Sequence, residues 1–128
     1  MRVVSDNYDM ITISLDDIDK KDDEEGTTTA LIKGVLAGLK DRGNAIGGFD
    51  AYITSDVLIG AGLSSSAAFE TIIGTIVSGL YNDMKVSAVD IAIIGQYATV
   101  RRDTSRRFCN SHHNFSRHTT PLSCQGAA

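Results

Sequence analysis

The chain has 128 residues, room for one modest domain, with 12 Lys and Arg against 16 Asp and Glu for a net charge of −4. Its hydrophobic content of 42% is ordinary for a globular protein, and no window holds the uninterrupted apolar run that a bilayer-spanning helix needs. The N-terminal Met-Arg-Val-Val-Ser-Asp lacks the apolar core of a signal peptide, so a cytoplasmic location with no membrane partner is expected. These averages hide a split. Residues 1–98 carry seven Lys and Arg against 15 Asp and Glu, a net of −8, whereas residues 99–128 carry five Arg and one Asp, a net of +4. The second segment also holds all three histidines, both cysteines and the single proline. A boundary is therefore expected near Ala98/Thr99.

In chain order, Ile11, Ile13 and Leu15 alternate with Thr12, Ser14 and Asp16, which predicts a half-buried strand over Met10–Asp16, with Val3–Val4 in a partner strand. Asp16–Glu25 is an acidic run without metal-loop spacing, read as a solvated loop. Thr27–Arg42 reads as a helix with Leu31, Ile32, Val35, Leu36 and Leu39 on one face. Thr27 or Thr28 is its N-cap and Gly43 its C′ stop. Gly34 and Gly38 weaken this helix by up to ~1 kcal/mol each relative to Ala, and they mark close packing. Phe49, Ala51 and Ile53 then alternate with Asp50, Tyr52 and Thr54 in a strand that feeds the stretch Gly60–Ala68.

That stretch reads Gly-Ala-Gly-Leu-Ser-Ser-Ser-Ala-Ala and is followed by an amphipathic helix within Ser64–Asn82. Phe69, Ile72, Ile73, Ile76, Val77 and Leu80 form its expected core face, and Gly74 and Gly79 fit close approach to a neighbour. Glu70 is read as a residue that suits the helix dipole. A strand, a glycine-rich turn and a helix start offer backbone N–H groups to an anion, and Gly60 and Gly62 leave room for close approach. Ser64, Ser65 and Ser66 add hydroxyls for capping, phosphate contact or metal ligation. By composition alone the stretch reads better as a capped turn, and it is not a Walker loop because no Lys-Ser or Lys-Thr follows the glycines. A last helix starts at Ser87, with Asp90 completing a capping-box-like pattern and Val86 with Ile91 a hydrophobic staple. Its apolar positions run through Ile94 and Tyr97.

The run from Asp56 to Glu70 resembles the ATP-binding motif of the GHMP small-molecule kinases. With Gly48-Phe49-Asp50 upstream and Gly95-Gln96-Tyr97-Ala98 downstream, it is similar to the galactokinase branch over most of residues 1–98. The resemblance implies an α+β fold, a partial GHMP kinase N-terminal domain with a sheet packed on helices. Residues 1–98 then form the ATP-binding part, and 99–128 a basic tail outside the family, disordered for want of apolar surface. It implies that Gly60, Ala61, Gly62, Leu63, Ser64, Ser65 and Ser66 cradle the phosphates of ATP and that Ser66 ligates magnesium. Asp50 is implied to be structural or supporting rather than catalytic. Leu58 stands where the family usually has proline, which predicts a less rigid approach to the loop and looser phosphate binding.

In the family's Gln-x-Ala-Glu-Asn segment a glutamate is the second magnesium ligand; this chain reads Gln96-Tyr97-Ala98-Thr99-Val100, and Thr99 cannot supply that charge. The family's sugar-binding arginine and catalytic aspartate have no counterpart in the chain, so no catalytic residue is assigned. The expectation is an internal galactokinase piece, at most a weak nucleotide binder without turnover, whose parent phosphorylates galactose. A shortened sheet would leave an edge open to self-association. Two other readings stand beside it: a non-catalytic nucleotide-binding remnant, and a small zinc or nucleic-acid module built on the tail. Cys109, His112, His113, His118 and Cys124 match no common finger spacing, and the tail arginines lack interleaved aromatics for stacking on bases.

Overall fold

The computed structural model describes residues 1–19, 21–56 and 65–102, with backbone alone at 101–102. Its elements run β1 (Arg2–Ser5), β2 (Ile11–Thr12), a 3-10 turn (Asp22–Glu24), α1 (Thr28–Asp41), β3 (Asp50–Ile53), α2 (Ser65–Tyr81) and α3 (Ala88–Arg102). This is an α+β arrangement in which a three-stranded sheet, ordered β2-β1-β3, shares one core with three helices.

The sheet is built on alternation. β1 pairs antiparallel with β2, Arg2 opposite Thr12 and Val3 opposite Ile11, and parallel with β3, Arg2 opposite Asp50 through Ser5 opposite Ile53. Val3 and Ile13 are buried, and Ile11, Ala51 and Ile53 pack against the same core. Arg2, Asp50 and Tyr52 face away from it and are exposed. The second strand is shorter than the Met10–Asp16 predicted from its alternation. Pairing continues past it only through Met1 and Ile13, whose backbones exchange hydrogen bonds of 3.0 and 2.9 Å. Burial still alternates through Ser14, Leu15 and Asp16, beyond the end of the ladder.

α1 is the centre of the molecule. Its N-cap is Thr27, whose Oγ1 accepts from Ala30 N at 3.2 Å. It ends in a Schellman pattern, with Asn44 N donating to Leu39 O and Gly43 N to Lys40 O, both at 3.0 Å. Gly43 sits there at φ +79°, an angle that costs a residue with a Cβ. Every residue from Leu31 to Leu39 is buried, not only the predicted apolar face, as for a helix covered on all sides. Small residues allow this. A Cβ at Gly34 would lie 2.9 Å from Cα and Cβ of Ala98, and one at Gly38 2.9 Å from Cγ2 of Ile94, so both glycines admit α3.

α3 begins as its capping pattern predicts: Asp90 N donates to Ser87 Oγ at 3.1 Å, and that hydroxyl donates back to Asp90 Oδ2 at 2.7 Å. Val86 and Ile91 both join the core. Arg42, at the end of α1, ion-pairs with Asp90 at 3.2 Å. The helix then continues to Arg102, past the compositional change at Ala98. Ile94 and Ala98 are buried, whereas Tyr97, expected among the apolar positions, is 45% exposed.

α2 corrects the expected core face. Its buried residues are Glu70, Ile73, Gly74, Val77 and Ser78, while Ile72 and Leu80 are 42% and 60% exposed. The helix is rotated so that its small residues meet α3: a Cβ at Gly74 would lie 2.8 Å from Cγ2 of Ile91. Close backbone approach decides the orientation, and the bulkier side chains flank the contact. Gly79 does not share this role; it is exposed, and an added Cβ would meet only the Sδ of Met84, at 3.1 Å.

Candidate functional site

β3 delivers the chain to residues 57–64, and α2 takes it up at Ser65. Gly60, Ala61, Gly62, Leu63 and Ser64, and Leu58 before them, lie outside the described residues, as do the tail residues Cys109, His112, His113, His118 and Cys124. What is described are the two flanks, and they are the predicted ones: an extended strand before and a 17-residue helix after. The first N–H groups of a helix have no intrahelical acceptor, and the peptide dipoles add up to partial positive charge at that end. Ser65 is exposed and Ser66 half-buried on the first turn of this helix.

The residue that sequence reasoning misjudged is Glu70. It does not stand at the surface to favour the dipole; it is 3% exposed, in the contact between α2 and α3. Thr99 Oγ1 donates a hydrogen bond to Glu70 Oε1. Gly95 makes the space: a Cβ there would lie 3.0 Å from Glu70 Oε2 and 3.2 Å from Glu70 Cβ. A buried ion costs several kcal/mol in order-of-magnitude terms unless its partners compensate, so a carboxylate here is a costly choice for a helix contact. The available signal was the i, i+4, i+8 run of Glu70, Gly74 and Ser78, which marks a second stripe beside the apolar one. Ser66 precedes Glu70 by four residues, so a hydroxyl and a carboxylate share one side of α2. They are hard oxygen donors of the kind magnesium takes, one or two at a time, beside phosphates and water.

Several other charged groups form structural pairs. Lys33, 5% exposed, reaches Glu24 at 2.8 Å and Asp17 at 3.9 Å, which fastens the acidic run onto α1. That run is therefore only partly the solvated loop expected. Lys21 donates to Asp17, and this hydrogen bond holds the Asp17 carboxyl below its ordinary range. Asp50 pairs with Arg2 across β1 and β3; the guanidinium's hydrogen bond lowers the carboxyl and raises the arginine. Tyr52 donates to Asp6, which raises the phenol. Among the described residues, no group of three or more His, Cys, Asp or Glu is placed to hold a metal ion, and no helix is long and apolar enough to cross a membrane.

A strand, a glycine-rich stretch and a helix whose first turns carry hydroxyls and a sequestered carboxylate meet on one small α+β unit. Residues 30–105 match the family model for the GHMP kinases N terminal domain, and the chain belongs to that family. Within it, the chain is similar to the galactokinase of Lactococcus lactis, whose crystal structure was solved in complex with galactose. The two are 28% identical and superpose with a TM-score of 0.68 over 79% of this chain. The chain spans 26% of that galactokinase.

Proposed function

We propose that this chain is the ATP-binding part of a galactokinase-type small-molecule kinase and that Gly60, Ala61, Gly62, Leu63, Ser64, Ser65 and Ser66 hold the nucleotide phosphates. The family match over residues 30–105 carries this reading, and the strand and helix that flank the glycine-rich stretch support it. Backbone N–H groups from the loop and the first turn of α2 face the phosphates, where the helix dipole favours negative charge. Ser66 is the hydroxyl for magnesium, and a bound magnesium ion supplies positive charge against the β- and γ-phosphates. The reaction to which this part contributes is transfer of the γ-phosphoryl of ATP to galactose, in the cytoplasm. The acceptor rests on the likeness to the Lactococcus enzyme solved with galactose.

The 128-residue chain by itself is proposed to bind nucleotide without turnover. Thr99 stands where the resemblance calls for a magnesium-binding glutamate, and no residue is assigned to the sugar-binding arginine or the catalytic aspartate. Calorimetric titration with ATP and magnesium tests the binding. Ser66→Ala is expected to weaken magnesium-dependent affinity about tenfold, and an unchanged isotherm overturns the site. A coupled assay for ADP release with galactose is expected to stay at background; robust turnover overturns the second half of the proposal.

A further inference from the structure

α3 is apolar on two sides, and the fold covers one of them. Ile91, Ile94 and Ala98 are buried, Ile94 against Gly38 of α1 and Ile91 against Gly74 of α2. Val89, Ile93, Tyr97 and Val100 follow one another at steps of four, four and three residues, and they are 69%, 44%, 45% and 44% exposed. Those steps line them up in one narrow stripe along the helix, the kind of seam by which helices pair. The outward side of a surface helix is ordinarily polar, so packing within the chain does not account for this stripe. Its four side chains present roughly 400 Å² in one patch, a size that on a monomer marks an interaction site.

The ends of the helix select the occupant. α3 has Asp90 in its first turn and, by sequence, Arg101 and Arg102 at its last two positions. Two copies of the helix laid in the same direction would bring like charges together at both ends. Turned end for end, each acidic end meets the basic end of the other copy, and the helix dipoles run in opposition, which favours the pair. The stripe has the symmetry for this. About a two-fold axis level with Gly95, Ile93 of one copy comes opposite Tyr97 of the other, and Asp90 comes level with Val100.

We infer that α3 packs antiparallel against α3 of a second copy of this chain, through Val89, Ile93, Tyr97 and Val100. Such a contact uses the same patch on both copies, so it closes at a dimer. Two stripes and their rims bury roughly 1,000 Å², less than permanent dimers do, which sets the dissociation constant on the order of 10–100 μM. The surface is separate from the proposed nucleotide site and from the open edge of β3, and the inference rests on neither.

Sedimentation equilibrium of the full chain tests it, with circular dichroism and the thermal midpoint as checks on folding. Wild type is expected to be in monomer–dimer equilibrium. Ile93→Lys is expected to weaken the dimer about tenfold or more while the fold and the midpoint hold, because the position is exposed. Val89→Lys gives the same readout from the other end of the stripe. Ile72→Lys, an equally exposed apolar position on α2, is expected to leave the dimer as it is. A photo-reactive benzophenone residue in place of Tyr97 is expected to cross-link to the peptide of the second copy that holds Ile93. Wild type that stays monomeric to about 1 mM overturns the inference. So does a dimer as tight in Ile93→Lys and Val89→Lys as in wild type, or a cross-link that maps to β3 or α2.

Discussion

Replacing Gly34 by alanine tests the packing of α1 against α3, on which the placement of the site depends. The new Cβ would lie 2.9 Å from both Cα and Cβ of Ala98, where 3.4–4 Å is ordinary contact, so the helices must part by about 0.5 Å at their tightest point. The obstacle is partly backbone, so no side-chain rotation relieves it. Over-packing of this kind costs about 1–3 kcal/mol. Alanine also favours a helix over glycine by up to ~1 kcal/mol, which masks part of that cost. Gly79→Ala supplies the correction. It gains the same helical preference, and its Cβ meets only the end of the exposed Met84 side chain. The difference between the two variants therefore isolates the packing term, and we expect Gly34→Ala to be less stable than Gly79→Ala by about 1–3 kcal/mol. Urea denaturation of the full chain measures this as a shift in midpoint at constant slope. Equal stabilisation by both substitutions would refute the close approach of α1 and α3.

Three further outcomes are expected. Glu24→Gln, which leaves the buried Lys33 ammonium with only the more distant Asp17 as a charged partner, should lower stability by a few kcal/mol, whereas Lys33→Met should change it by about 1 kcal/mol or less; melts of the two variants give the order, and the reverse order contradicts the buried pair. The carboxyls of Asp17 and Asp50 titrate lower in the folded chain than in the unfolded one, so their contribution is complete above the ordinary carboxylate value of about 3.9 and is lost as pH falls through the lowered one. Asp50→Asn should flatten the acid limb of a stability–pH curve, less so in 1 M salt because the pair with Arg2 is exposed, and an unaltered limb at low salt contradicts the pairing. β3 has no strand partner on its outer side among the described residues, so the chain should self-associate as concentration rises; a single monomer peak in size-exclusion chromatography at high concentration speaks against an open edge.

Local signals proved legible where chemistry acts over a few residues. Thr27 and Gly43 marked both ends of α1, Ser87 and Asp90 opened α3, and the alternation at Phe49–Thr54 gave β3, because caps and pleats are decided by neighbours in sequence. Gly34 and Gly38 announced a close contact without naming α3 as the partner. What stayed hidden depended on tertiary geometry. The burial of Glu70 required knowing that Gly95 and Thr99 would face it from another helix, and a glutamate near a helix start has an ordinary local explanation. The face of α2 was displaced for the same reason: two adjacent stripes were available, and the one with Gly74 and Ser78 won by letting α3 come near. The burial of Lys33 likewise depends on the acidic run folding back to pair with it.

The most direct measurement is a crystal structure of the chain with magnesium and a non-hydrolysable ATP analogue. The account predicts phosphate oxygens against the amides of residues 60–66, with the cation between Ser66 and the phosphates. A nucleotide bound elsewhere, with that turn empty, contradicts it.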